Sequence, residues 1–278
     1  MGVAPRTLAR AAATFSVLLI VFGFVGIVTA QESGDAEQLR LGRAAMAAHD
    51  PTTAITHFEK ADTIEAREWL AVALMMESRS PSDQYVERAF EAALRARALQ
   101  PAQVPARAEL ATAMRPGEFV IAFLIGEVYA YAWAFDRDAF VGYQLPAPAE
   151  LATGVARARA YIDSGDRAGV LRIAEELMPA LLGPARERLP KLKRLIFVLD
   201  GTLRDLPVGE LPPGEGQSPL QQQLAISLTE PGALLEAIRA DPSPPPATAP
   251  SWQRRSIVIG GILVAILAIA AIAGWWRR

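Results

Sequence analysis

With 278 residues, 51% of them hydrophobic, the chain has enough apolar material for a sizeable core. All 30 acidic residues lie between 31 and 250, beside 22 of the 28 basic ones, a balance of −8 that repels phosphate backbones and argues against nucleic acid as a partner. There is no cysteine, so neither disulfides nor a thiol nucleophile are available.

Residues 1–30 carry Arg6 and Arg10, then an apolar run from Phe15 to Val28, then Val28 and Ala30 at the small-x-small spacing of a cleavage site. This is the three-part layout of a secretory signal peptide, with an uncleaved anchor as the alternative. At the other end, 257–276 is apolar and long enough to cross the ~30 Å core of a bilayer, with Trp275 and Trp276 at one margin and Arg277 and Arg278 beyond. The expected location is the cytoplasmic membrane, as a single-pass protein. Residues 31–250 would then lie outside the cytoplasm, in a periplasm or at the cell exterior. The Pro-rich stretch "DPSPPPATAP" opens a stalk over 241–256.

Between these ends, 31–107 reads as paired helices. Leu39, Leu41, Ala45 and Met46 form a stripe, Asp50-Pro51 supplies an N-cap and a first-turn proline, and Ala54, Ile55, Phe58 and Ala61 follow at helical spacing. Ser80–Asp83 predicts a further helix start, leading through Phe90, Ala93 and Ala96. Leu41-Gly42, Ala45, Ala54, Phe58 and Ala61 resemble a tetratricopeptide (TPR) repeat, and Ala89, Ala93, Ala96 and Pro101 resemble half of a second.

After Arg115-Pro116-Gly117 the apolar period shortens. "EFVIAFLIG", "EVYAYAWAF" and "FVGYQL" predict three antiparallel strands. Two helices are expected over 148–162 and 167–188, then a strand at Leu195–Leu199 with apolar residues throughout, as in a strand covered on both faces. A short strand near Leu224–Leu228 and a helix over Pro231–Ala240 complete the series.

The order of these elements, with "RPGEFVIAFLIGEVYAYAWAF", "LMPALLGP" and "KRLIFVLDGTLRDLPVGEL", resembles the opening half of a CHAT domain. Members of that family have a caspase-like fold and commonly follow TPR repeats. Leu195–Leu199, Asp200, Gly201, Leu203, Leu206, Pro207 and Leu211 fit its pattern, whereas Leu199 and Val208 stand where the family has Pro and an aromatic. The resemblance implies an α/β fold over 108–240, truncated before the strands that carry the family's His-Gly and Ser-Ala-Cys. The chain's two histidines, His49 and His57, both lie in the TPR-like hairpin.

No catalytic, cofactor-binding or metal-binding residue is therefore expected. Asp200 with Asp205 as an acid–base pair, and His49 with His57 as metal ligands, each read better as turn and surface residues. Tyr129, Tyr131, Trp133 and Phe135 alternate as one face of a strand packed against the following helices. The expected function is a non-catalytic, membrane-anchored interaction scaffold or pseudo-peptidase adaptor. Its protein partners would meet the TPR-like helices and an open sheet edge near 194–200, formed by Leu195–Leu199 or its neighbouring strand, and lipid would meet 257–276. The alternative is the non-catalytic half of a split cysteine peptidase completed by a partner chain.

Overall fold

A computed structural model describes residues 34–81, 83–98 and 104–240, which divide into a helical unit up to Glu77 and a sheet-bearing unit from Ser78. In the helical unit, α1 (34–47), α2 (Pro51–Phe58) and α3 (Ile64–Glu77) pack around Phe58. The Asp50 carboxylate caps α2 by accepting from Thr53 N at 3.0 Å, and Pro51 starts the helix where its missing N–H costs nothing. Gly42 lets the Phe58 ring lie directly on α1: a Cβ there would come within 2.4 Å of the ring. Phe58 also stacks on Trp69 with ring centroids 6.3 Å apart.

The sheet-bearing unit begins with α4 (Gln84–Arg97), which the periodicity groups with the helical repeats. Its place is set by Phe90, fully buried with ring centroids 5.3–6.0 Å from Trp133, Phe135 and Phe140. Asp83 caps α4. Burial opposes its ionisation, but backbone amides of Arg79, Val86 and Ser80 and the Ser78 hydroxyl hold the carboxyl below its usual range. A short α5 (Arg107–Ala113) leads into β1 (Glu118–Ile125), β2 (Ala130–Phe135) and β3 (Phe140–Gln144), an antiparallel meander.

Helices α6 (Pro148–Ser164) and α7 (Arg167–Leu182) then cross over, separated by Gly165 at φ 73° and the Asp166 cap. The second helix stops at Leu182 instead of running to 188, because Gly183 turns the chain at φ 46° before the single-turn α8 (Ala185–Arg188). β4 (Arg194–Val198) follows, parallel to β1. The chain then runs through two 3₁₀ turns and α9 (Leu220–Gln223) to β5 (Ala225–Thr229), parallel to β4, and α10 (Leu234–Arg239). The strand order is β3-β2-β1-β4-β5.

Every residue of β1, β2 and β4 is buried, as their apolar composition requires of strands covered on both faces. One face carries Phe119, Ile121, Phe123, Leu195 and Phe197 together with the small Ala130, Ala132 and Ala134, and packs on α6 and α7. The aromatic row Trp133 and Phe135 meets the preceding α4, not the following helices. The alanines alternating with that row leave the room that α6 and α7 occupy on the other side.

The result is a mixed α/β fold, and it corrects the membrane-protein reading. Among the described residues no helix is long and apolar enough to cross a membrane. The signal-peptide segment 1–30, the stalk 241–256, the span 257–276 and the end 277–278 lie outside the described residues. A transmembrane helix is therefore not part of the described fold. The single-pass location, the membrane-anchored extracytoplasmic scaffold and the lipid contact through 257–276, all of which rested on that helix, are withdrawn with it.

Candidate functional site

In parallel sheets ligands are held beyond the carboxyl ends of the strands, which here brings together Ile125, Asp200 and Gly201. Asp200 is buried, and both its oxygens are engaged. Oδ2 accepts from Ile125 N at 2.8 Å and from Arg97 Nε at 3.0 Å, while Oδ1 lies 2.9 Å from the same Nε. Arg97 also donates to the Ile125 carbonyl at 3.1 Å. A charged pair thus closes the end of β1 onto β4 and α4. Gly201 takes φ 51° so that the chain can turn against Ile125, whose Cβ would stand 3.0 Å from a Cβ at 201. Asp205 is apart, on the surface, paired with Arg159 at 3.2 Å. The two aspartates do not converge, and Asp200 acts as a strand-end cap.

The opposite strand ends hold a second buried charge pair. The Glu118 and Arg194 side chains are only 3% and 4% exposed, and Glu118 Oε1 lies 3.2 Å from Arg194 Nη1. Glu118 Oε2 accepts from Arg115 N at 2.8 Å. Arg194 spends its remaining donors on Ser227 Oγ (3.0 Å) and on the Ala240 (2.9 Å) and Ala237 (2.7 Å) carbonyls. Those carbonyls are at the C-terminal end of α10, where a cation is favoured. One guanidinium therefore ties β1, β4, β5 and α10 together.

Beside this node lies an open cleft of about 680 Å³, lined by Arg115, Glu118, Asp136, Arg137, Arg188 and Lys191 among others. Two of its three acids, Glu118 and Asp136, are already committed. Glu118 is held as described, and Asp136 accepts from the amides of Asp138 and Ala139 and pairs with Arg188. In the helical unit His49 sits at a turn with φ 57°, and His57 Nδ1 is 2.8 Å from Gln38 Oε1. Among the described residues no group of three His, Asp or Glu side chains is placed to hold a metal.

The remaining feature is the sheet's edge. The sequence places the open edge near 194–200, at Leu195–Leu199 or its neighbouring strand; β4 pairs with β1 on one side and β5 on the other, so Leu195–Leu199 is internal and its neighbour is the edge. The uniform apolarity of Leu195–Leu199 signals two covered faces and is silent about its two backbone sides. The open edge is β5, which among the described residues pairs with β4 alone. Ala225 N donates to the Lys193 carbonyl at 3.1 Å. A residue's N–H and C=O point to the same side of a strand. So Ala225, Ser227 and Thr229 bond inward, and Ile226 and Leu228 present their backbone groups outward. Leu228 is 58% exposed, next to Ile226, which packs on the core. No charged residue falls within 225–229.

No family model matches the chain, and no curated protein matches it.

Proposed function

We propose that the sheet-bearing unit is a non-catalytic protein-interaction module that takes up an extended backbone segment at the β5 edge. The observation that carries this is β5 itself: paired on one side, free of charge, and carrying an exposed leucine. Unprotected edges of this kind pair with further strands, main-chain hydrogen bonds giving affinity and alternate side chains giving selectivity. The commitment of Asp200, Glu118 and Arg194 to strand-end bonds supports the non-catalytic part. The resemblance to half of a CHAT domain supports the edge, since it implies a sheet that continues further. The test is a photoreactive side chain placed at Leu228 in intact cells, with Val141 on β3 as control. Covalent protein adducts at 228 and not at 141 are expected; equal or absent labelling at 228 overturns the reading.

A further inference from the structure

We infer that the segment taken up at the β5 edge is β5 of a second copy of this chain, antiparallel, with the two-fold axis through Ser227. This rests on the edge reading above and names its occupant.

The hydrogen-bond parity comes first. An antiparallel pair needs opposed residues whose N–H and C=O both face across the gap. On β5 these are Ile226 and Leu228, since Ala225 bonds to Lys193 on the other side. A two-fold at Ser227 places Ile226 opposite Leu228 of the second copy, and Leu228 opposite its Ile226. Each opposed pair exchanges two hydrogen bonds, so all four outward groups on each strand are satisfied. An axis through Ile226 would oppose Leu228 to Leu224, whose amide already donates to the Leu220 carbonyl, and an axis through Leu228 would oppose Ile226 to Glu230, whose carbonyl already accepts from Ala233 N.

The side chains agree with that register. Ile226 and Leu228 lie on one face of the strand, so each copy's exposed leucine packs on the other's isoleucine, as a stable cross-strand pair does. Charge does not oppose the match. Residues 225–229 are uncharged, and Glu230, the next acid, comes opposite Leu224. The two copies of Glu230 stand six strand positions apart, about 20 Å at the rise of a β-strand, beyond the screening length at physiological salt. An unrelated partner would have to supply this pattern; the chain's own strand already has it.

The chain's lack of cysteine makes the register directly readable. With the axis at Ser227, the two Ser227 Cα atoms form a non-hydrogen-bonded pair about 4.5 Å apart, within the range a disulfide spans. Full-length Ser227→Cys is expected to link to itself under mild oxidation. Ile226→Cys and Leu228→Cys, whose copies are diagonal and about 7–8 Å apart, are expected to link only when the two are mixed. In sedimentation of the cysteine-free chain, Leu228→Pro, which removes an outward amide and no inward one, is expected to weaken the dimer at least about tenfold. Because Ser227→Cys also touches the Arg194 bond and could disturb the fold, the mixed 226/228 pair and Leu228→Pro stand as independent readings. Self-linking of Ile226→Cys alone, or a chain that stays monomeric at 100 µM-scale loading (roughly, well above a specific dimer's Kd), overturns the self-pairing. If it is monomeric and the 228 photoprobe still labels another protein, the edge reading stands and only the occupant is wrong. If the 228 probe labels nothing, both fall.

Discussion

At the β3 edge the outward amide of Gly142 donates to the Pro81 carbonyl at 2.7 Å, Phe140 lies against Phe90, and the Tyr143 hydroxyl donates to Leu181 O at 3.0 Å. At the β5 edge Ile226 and Leu228 turn their backbone groups outward, and nothing of comparable kind meets them among the described residues. Burial pushes the Tyr143 phenol pKa upward, a mark of how closely the first edge is packed. Two edges of one sheet thus differ in kind, and the difference separates a side that is finished from a side that can still bind. The rigid mounting of β5 belongs to the same picture, because Arg194 fastens it to β4 and to the end of α10.

The comparison is broken most severely by removing that mounting. Arg194→Met leaves Glu118 buried without its cation and the α10 carbonyls without donors, and should cost about 3–5 kcal/mol. Denaturant unfolding would show it as a lower midpoint. If the variant keeps its stability, Arg194 does not hold the β5 edge. At the other strand ends, Asp200→Ala strands the Arg97 cation and the Ile125 amide, and a loss of about 2–3 kcal/mol is expected from hydrogen bonds to charged groups. An intact midpoint there would reopen Asp200 as a free carboxylate.

Asp83→Ala removes the α4 cap and should cost about 1 kcal/mol. Because the folded-state pKa of Asp83 is depressed, its contribution is full at neutral pH and is lost as pH falls through that lowered value. The variant's stability should accordingly fall less steeply than the parent's below about pH 4, the ordinary carboxylate range. Thermal unfolding across pH 2–5 (approximate bounds around that range) reads both effects. The smallest effect on stability is expected at the open edge: Leu228→Lys should lie within about 0.5 kcal/mol of the parent while association is lost. In that variant the Ile226 amide should exchange at least about tenfold faster than the Gly142 amide. Equal protection of the two would abolish the distinction between the edges.

The elements themselves were legible along the chain, since each rests on local signals. Asp50-Pro51 starts α2, Gly165 ends α6, and the alternation from Glu118 to Gln144 makes three strands at close to their observed bounds. Helix α4 was legible as a helix but not as part of the sheet's core, because Phe90 and the Trp133 row are over 40 residues apart in sequence and meet only in the fold. The break of α7 at Gly183 does carry a local mark, a glycine followed by Pro184, although the expected helix over 167–188 spans it. The role of Asp200 was partly legible: its turn position suggested a structural carboxylate, while Arg97, its actual partner, carries no local mark.

The sequence by itself determined which stretches are helix and strand, that no thiol chemistry is available, and that 194–199 is buried on both faces. Only the tertiary structure decided which strand is the edge. Apolar alternation records which side-chain faces are covered, whereas edge position depends on backbone pairing, and backbone groups are the same in every residue. Leu195–Leu199 is therefore internal for all its apolarity, and β5, equally long and partly polar, carries the open edge.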